Sequence, residues 1–141
     1  MHDAVTVILT KPTGEILMQL RDDGNGKSIE YPNMWCFFTG GMDAGESYLE
    51  AAVREMKEEL ELNLDPSKLK LLWTYTHDQT ENDYVLVGMV SSDVKPVLHE
   101  GADMRWMKLD EIKETPLAFE KDRVIPYIEA YFKTEGFKAL T

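Results

Sequence analysis

The fold turns on residues 40–62, GGMDAGESYLEAAVREMKEELEL. Ser47 followed three residues later by Glu50 is a capping-box pair, which predicts a helix beginning at about Tyr48. Leu49, Ala52, Val53, Met56 and Leu60 recur at helical spacing and predict the face turned to the core. At ~100° per residue, Glu55, Glu58 and Glu59 share one sector beside that stripe, while Glu50, Lys57 and Glu61 lie elsewhere. Glu55 stands three and four residues from the other two acids, and each such like-charge pair costs an isolated helix roughly 0.2–0.5 kcal/mol. Arg54, four residues before Glu58, is the only local offset, and the helix dipole favours cations rather than anions in this half.

That cost is small, and an acidic helix face is most often solvated surface. The surroundings give it another reading. Hard divalent cations take oxygen ligands, and Mg²⁺ is commonly held by one or two carboxylates together with waters and substrate phosphates. Three carboxylates converging from one helical turn therefore offer ligands for more than one metal ion. Gly40 and Gly41, placed between an apolar segment and the acidic helix, allow a tight turn and close backbone approach to a ligand.

Outward from this stretch, AVTVIL (4–9) and EILMQL (15–20) flank a Pro/Gly turn and predict a hairpin. Residues 21–33 are a polar, glycine-bearing loop, and MWCFFT (34–39) reads as one buried strand leading into Gly40. Beyond the helix, LLWTYTH (71–77), DYVLVGMV (83–90) and MRWMKL (104–109) predict strands and LDEIKE (109–114) a short helix. Residues 120–134 predict a terminal helix that Pro126 begins or kinks. The order implies an α/β fold, a mixed sheet covered by helices, as one domain over residues 1–141.

The net charge of −11 disfavours a long nucleic acid or an anionic membrane as partner. A small phosphorylated ligand needs cations or a local Arg/Lys cluster to offset that field. No apolar run approaches the roughly 20 residues of a membrane span. The N-terminus has none of the marks of a signal peptide, and the single Cys36 excludes an intramolecular disulfide or a cysteine-rich zinc site. The expectation is a cytoplasmic protein.

Taken together, Gly40, Glu46, Arg54, Glu55, Met56, Glu58, Glu59 and Leu62 resemble the Nudix box, the signature of MutT-like hydrolases. Six fixed positions, the five charged residues and Gly40, each filled at about one in fifteen by chance, coincide roughly once in ten million starts. The resemblance implies a Nudix-type α/β/α sandwich around a mixed β-sheet. It also implies a pyrophosphohydrolase that uses Mg²⁺ or Mn²⁺ and cleaves a nucleoside diphosphate linked to another moiety by attack of water on phosphorus.

The implied metal ligands are Glu55, Glu58 and Glu59, with Gly40 lending its carbonyl. Glu55, Glu58 and Arg54 are the implied catalytic group, and Glu46 pairs with Arg54 as structural support. A further acid often comes from a later loop, which makes Glu100 in HEGADMRW a candidate ligand or base, alongside its plainer reading as a turn residue before Gly101. Arg21 is a candidate for a substrate phosphate or, more simply, a surface partner of Asp22 or Asp23. Trp35, Phe38, Tyr75 and Tyr84 are candidate base-stacking residues whose commoner role is core, Cys36 reads as a buried small apolar residue, and His2, His77 and His99 receive no role.

Two departures stand out. Glu61 occupies the glycine position of the box, so the helix is expected to run on to Asn63, a better left-handed cap. Thr39 replaces a frequent proline. Besides the hydrolase, a non-catalytic sensing module for a nucleotide or sugar fits the same fold, as does an isomerase, for which no separate acid/base pair is evident. The expected partner is a small phosphorylated substrate of nucleotide type, and a homodimer stays open.

Overall fold

The computed structural model describes residues 3–24, 26–77 and 81–134; His2 lies outside them. The predicted hairpin forms from β1 (Ala4–Thr10) and β2 (Ile16–Leu20), antiparallel with Thr10 opposite Ile16. Its turn is closed by the Gly14 amide donating to the Lys11 carbonyl at 2.9 Å.

The expected single strand at 34–39 is two, β3 (Trp35–Cys36) and β4 (Phe38–Gly41). The reason lies in their partners. Beyond the hairpin turn the segment first pairs with β2, Cys36 opposite Gln19, and then transfers to β1, Phe38 opposite Val7. Phe37, at the transfer, is fully buried on one side of the sheet and Phe38 on the other.

Helix α1 (Tyr48–Leu60) follows, then β5 (Leu69–His77), β6 (Glu81–Met89), β7 (Asp103–Met107), α2 (Leu109–Lys113) and α3 (Ile125–Thr134). Among the described residues the strands form one seven-stranded mixed sheet. β6 runs parallel to β1 and antiparallel to β5, and β7 lies antiparallel to β2. The terminal helix is shorter than expected: residues 118–124 form 3₁₀ turns kinked at Phe119 and Glu120, where φ is 59° and 55°. Pro126 is the second residue of α3, where its missing N–H breaks no helical bond.

Alternation along β1 sorts the core into two layers. Val5, Val7 and Leu9 face Ala51, Ala52, Met56 and Leu60 of α1. Ile8 faces the other layer with Leu109 and Ile112 of α2 and Ile128 and Phe132 of α3. The result is the expected α/β/α sandwich. The buried stripe of α1 nevertheless differs from the expected one: Ala51 joins it, Leu49 packs at its margin, and Val53 turns to a shallow flank shared with Leu49 and Pro66. Among the described residues no helix is long and apolar enough to cross a membrane.

Among the described residues four polar ones are buried: Thr6, Thr10, Asp83 and Lys121. Lys121 forms an ion pair with Asp83, and the Thr6 hydroxyl donates to the same carboxylate at 2.9 Å. This pair ties the kinked 118–124 segment to the sheet. Removing one partner of a buried pair strands the other charge. Lys121→Met is therefore expected to cost about 3–5 kcal/mol in urea unfolding, and Lys121→Met/Asp83→Leu to recover most of that loss.

Candidate functional site

The site begins with the cap of α1. The Ser47 hydroxyl accepts from the Glu50 amide at 3.1 Å, and the Glu50 carboxylate accepts from the Ser47 amide at 3.0 Å, so two of the helix's open donors are satisfied reciprocally. One residue earlier, Glu46 accepts from the Asp43 amide at 2.9 Å, which folds the 42–46 loop back on itself.

Arg54 binds that loop to the helix. Its Nε and Nη2 donate to the two oxygens of Glu46 at 2.8 and 2.9 Å, and Nη2 also donates to the Gly41 carbonyl at 2.8 Å. Its Nη1 donates to Glu55 at 3.0 Å and to Glu58 at 3.3 Å, and Asp43 lies 3.4 Å from Nε. One guanidinium thus links the end of β4, the loop and two acids of α1. The hydrogen bonds from Arg54 hold the Glu46 carboxyl down at about 2, and Glu46 in turn raises the proton affinity of Arg54.

The acids on the other side of Arg54 are shifted the opposite way. Burial pushes the Glu55 carboxyl up against the opposing pull of Arg54, and the charges of Glu58 and Glu100 add to the rise. Glu59 is raised by burial and by Glu100, Glu55 and Glu58. Gly40 lies against Glu55: a Cβ there would fall 2.1 Å from the carboxyl carbon, so only glycine leaves the carboxylate where it stands.

Glu100 reaches this neighbourhood through two attachments of its loop. The Val97 and His99 amides donate to the Leu60 and Glu59 carbonyls at the end of α1, at 2.9 and 3.1 Å. On the other side, the Gln19 side-chain amide donates to the Glu100 carbonyl at 2.8 Å. Gly101 adopts φ +94° here, where a Cβ would also strike Gln19 and the Leu20 carbonyl.

Between these elements opens a cleft of about 550 Å³ whose walls include Gln19, Arg21, Ile29, Glu59, His99 and Glu100. Arg21 stands at that wall, donating to the Glu30 and Tyr31 carbonyls at 3.0 and 3.2 Å and stacking 4.8 Å from the Phe119 ring. The other aromatic candidates fall into packing roles. Phe38 is core, Tyr84 stacks on Tyr48 and Tyr75 accepts from Arg123. Trp35 packs against the core with Arg105 over its ring. Cys36 is buried. Thr39 lines the cleft and meets the Thr6 hydroxyl at 3.2 Å.

The expected run of α1 to Asn63 does not occur. The helix ends at Leu60, and Glu61 itself takes the left-handed conformation, φ 56° and ψ 35°, at a cost of order 1 kcal/mol. Its amide donates to the Lys57 carbonyl, and the Leu62 amide reaches the Met56 carbonyl at 3.2 Å, so the chain turns as it would with glycine. Gln19 and His99 carry no local signal of these contacts, because they meet Glu100 and Glu61 across the fold.

The profile described as the NUDIX domain matches residues 1–128. The chain belongs to the Nudix family. An uncharacterized Nudix hydrolase of Listeria innocua is 29% identical over 117 residues, 80% of this chain and 67% of that protein. A prenyl-diphosphate phosphatase of Methanosarcina mazei is 26% identical over 116 residues, 79% of this chain and 66% of that one. The chain thus spans about two thirds of the length of these curated relatives. Among solved structures, MutT described from Aliivibrio salmonicida and Vibrio cholerae superposes with a TM-score of 0.76 at 23% identity, covering 93% of this chain and 98% of that one. The NUDIX domain of Shewanella oneidensis NrtR, solved with ADP ribose, gives 0.74 at 15%, covering 94% and 88%. These two likenesses establish the Nudix fold. The family and the named hydrolase relatives make this Nudix chain an enzyme acting on pyrophosphate bonds.

Because the folded pKa of Glu46 lies below its ordinary 4.5, its stabilising contribution is complete above that pH and is lost as the pH falls towards 2. Glu46→Gln is expected to lower the melting temperature near neutrality, with the gap to the unsubstituted protein closing over that window. Thermal melts across the pH range check this.

Proposed function

We propose that the protein is a divalent-metal-dependent pyrophosphohydrolase that cleaves a nucleoside diphosphate linked to another group. The observation that carries the reading is that Glu59 and Glu100 share the cleft wall while Glu55 and Glu58 stand beside them on α1, near enough that burial and mutual charge raise both Glu55 and Glu59.

The donor set suits a hard cation, since it consists of carboxylates and a nearby backbone carbonyl. The space that glycine leaves at position 40 keeps Glu55 close to the backbone. As the side chains stand, no three acids or histidines among the described residues are gathered closely enough to hold an ion, and Arg54 occupies one oxygen of Glu55 and contacts Glu58. The residues that would hold Mg²⁺ or Mn²⁺ are Glu55, Glu58 and Glu59, with Gly40 and Glu100 assisting. The chemistry supplied by such an ion, when bound, is neutralisation of diphosphate charge and a lowered pKa for water.

The chain's own residues do the rest. Glu55 and Glu58, with Glu100 behind them, are the carboxylates available to take a proton from the attacking water. Arg54 contributes by position: its donors go to Glu46, Gly41 and the two acids, which fixes the acids relative to the strand end. Arg21 stands ready at the wall for a phosphate or the group beyond it. Gln19, Arg21, Asp22 and His99 make that wall largely polar, which suits a nucleoside or sugar better than a hydrocarbon tail.

Glu58 is exposed, so Glu58→Gln should fold normally and lose turnover by about 10³-fold or more. The assay is product analysis on a panel of nucleoside triphosphates, ADP-ribose, dinucleoside polyphosphates, nucleotide sugars and a prenyl diphosphate, with and without Mg²⁺. Retained turnover in the variant rejects the site, and cleavage of the prenyl diphosphate alone rejects the substrate class. A complementary expectation concerns Gly40→Ala. The new Cβ meets the flexible end of Glu55, so circular dichroism melts should shift little while turnover falls at least about 10-fold.

A further inference from the structure

Glu61 sits where the Nudix box carries glycine and holds a left-handed backbone that a glycine would adopt without strain. What glycine lacks is a side chain. The Glu61 carboxylate accepts from His99 Nε2 at 2.7 Å. A carboxylate only accepts, so that nitrogen carries the hydrogen. His99 is the residue immediately before Glu100, and its amide is already bonded to the Glu59 carbonyl at 3.1 Å. Its ring is thus held by one residue of the α1 terminus and its backbone by another, two residues apart. The pair is open to solvent, 56% for Glu61 and 47% for His99, which makes it a weak source of stability. Its position is what matters: it closes the α1 side of the loop, while Gln19 holds the Glu100 carbonyl from the β2 side.

We infer that Glu61 is a positioning residue whose grip on His99 sets where Glu100 stands beside Glu59 at the mouth of the cleft. The inference rests on the reading of that cleft as the metal-dependent hydrolytic site. It makes stability and function respond in opposite directions, because glycine at 61 relieves the backbone yet releases the loop.

The test uses the full chain, with Mn²⁺ alone followed by electron paramagnetic resonance, steady-state kinetics on the best-cleaved member of the nucleotide panel, and thermal melts. Glu61→Gly is expected to keep or raise the melting temperature, to weaken Mn²⁺ binding by about 10-fold, and to lower kcat by a similar factor with little change in KM. Glu61→Gln keeps an acceptor for His99 and should stay within about 2-fold of the unsubstituted protein. His99→Ala should reproduce the kcat and Mn²⁺ losses of Glu61→Gly, and the double variant should lose no more than either single one. An active protein whose Glu61→Gly variant matches it in Mn²⁺ binding and kcat overturns the latch alone, as do losses that add in the double variant. An unsubstituted chain that neither binds Mn²⁺ nor cleaves any panel member overturns the hydrolytic reading and the latch with it.

Discussion

A single guanidinium holds the working end of this molecule together. Arg54 touches the carbonyl that ends β4, both oxygens of Glu46 and two acids of its own helix. Bonds of this kind, with charge on both partners, are short and directional. They convert a flexible 42–46 loop into a fixed joint between strand and helix. The joint also explains how α1 tolerates its acidic side. Glu55 is largely buried, and without the neighbouring cation its ionised form would be far more costly. Arg54 supplies that compensation asymmetrically: it satisfies Glu46 fully and Glu55 in part, and leaves Glu59 to the field of its fellow acids.

That asymmetry gives the site its character. Local consistency is the rule for a foldable sequence, and departures from it tend to collect where function is built. Here the departures are the largely buried Glu55, Glu59 packed among like charges, Gly40 with a carboxylate pressed against it, and Glu61 in left-handed backbone. All lie within the 40–62 stretch. Outside it, two apolar layers pack on a mixed sheet and the charges of the buried Lys121–Asp83 pair answer each other, while left-handed backbone recurs at Tyr31, Asn33, Phe119 and Glu120.

The parts of the fold legible in the sequence were those written locally. The Ser47–Glu50 box, the 10–16 hairpin turn and the place of Pro126 each depend on residues within a few positions of one another, so propensity and spacing sufficed. The family likeness was legible for the same reason, since the box is contiguous. What escaped is non-local. Nothing in MWCFFT announces that its two halves pair with different strands, because that follows from β1 and β2 parting beyond the turn. Periodicity placed Val53 in the core, yet the sheet selects Ala51, a smaller residue that lets helix and strands approach. Helix propensity argued against Glu61 in left-handed backbone, and tertiary contacts overrode it: the loop from Val97 to His99 docks on the last carbonyls of α1. Gln19 and His99 gave no signal because their partners lie 81 and 38 positions away.

The acidic surface and the proposed chemistry fit together once the cleft is considered as a filter. A net charge of −11 sets up a field that turns away extended polyanions, whose many phosphates would each need a cation from the protein. A short diphosphate is different, because a few charges suffice to neutralise it. Under the proposed function those charges come from metal held by the acids themselves, so the carboxylates that repel a bare phosphate become the reason a metal-complexed one is bound. The same cluster then serves selection and catalysis, and its strength in both depends on the acids staying ionised and close. Burial and mutual repulsion work against that, as the raised carboxyls of Glu55 and Glu59 show. Arg54 on one side and the docked 97–101 loop on the other keep the acids together despite it.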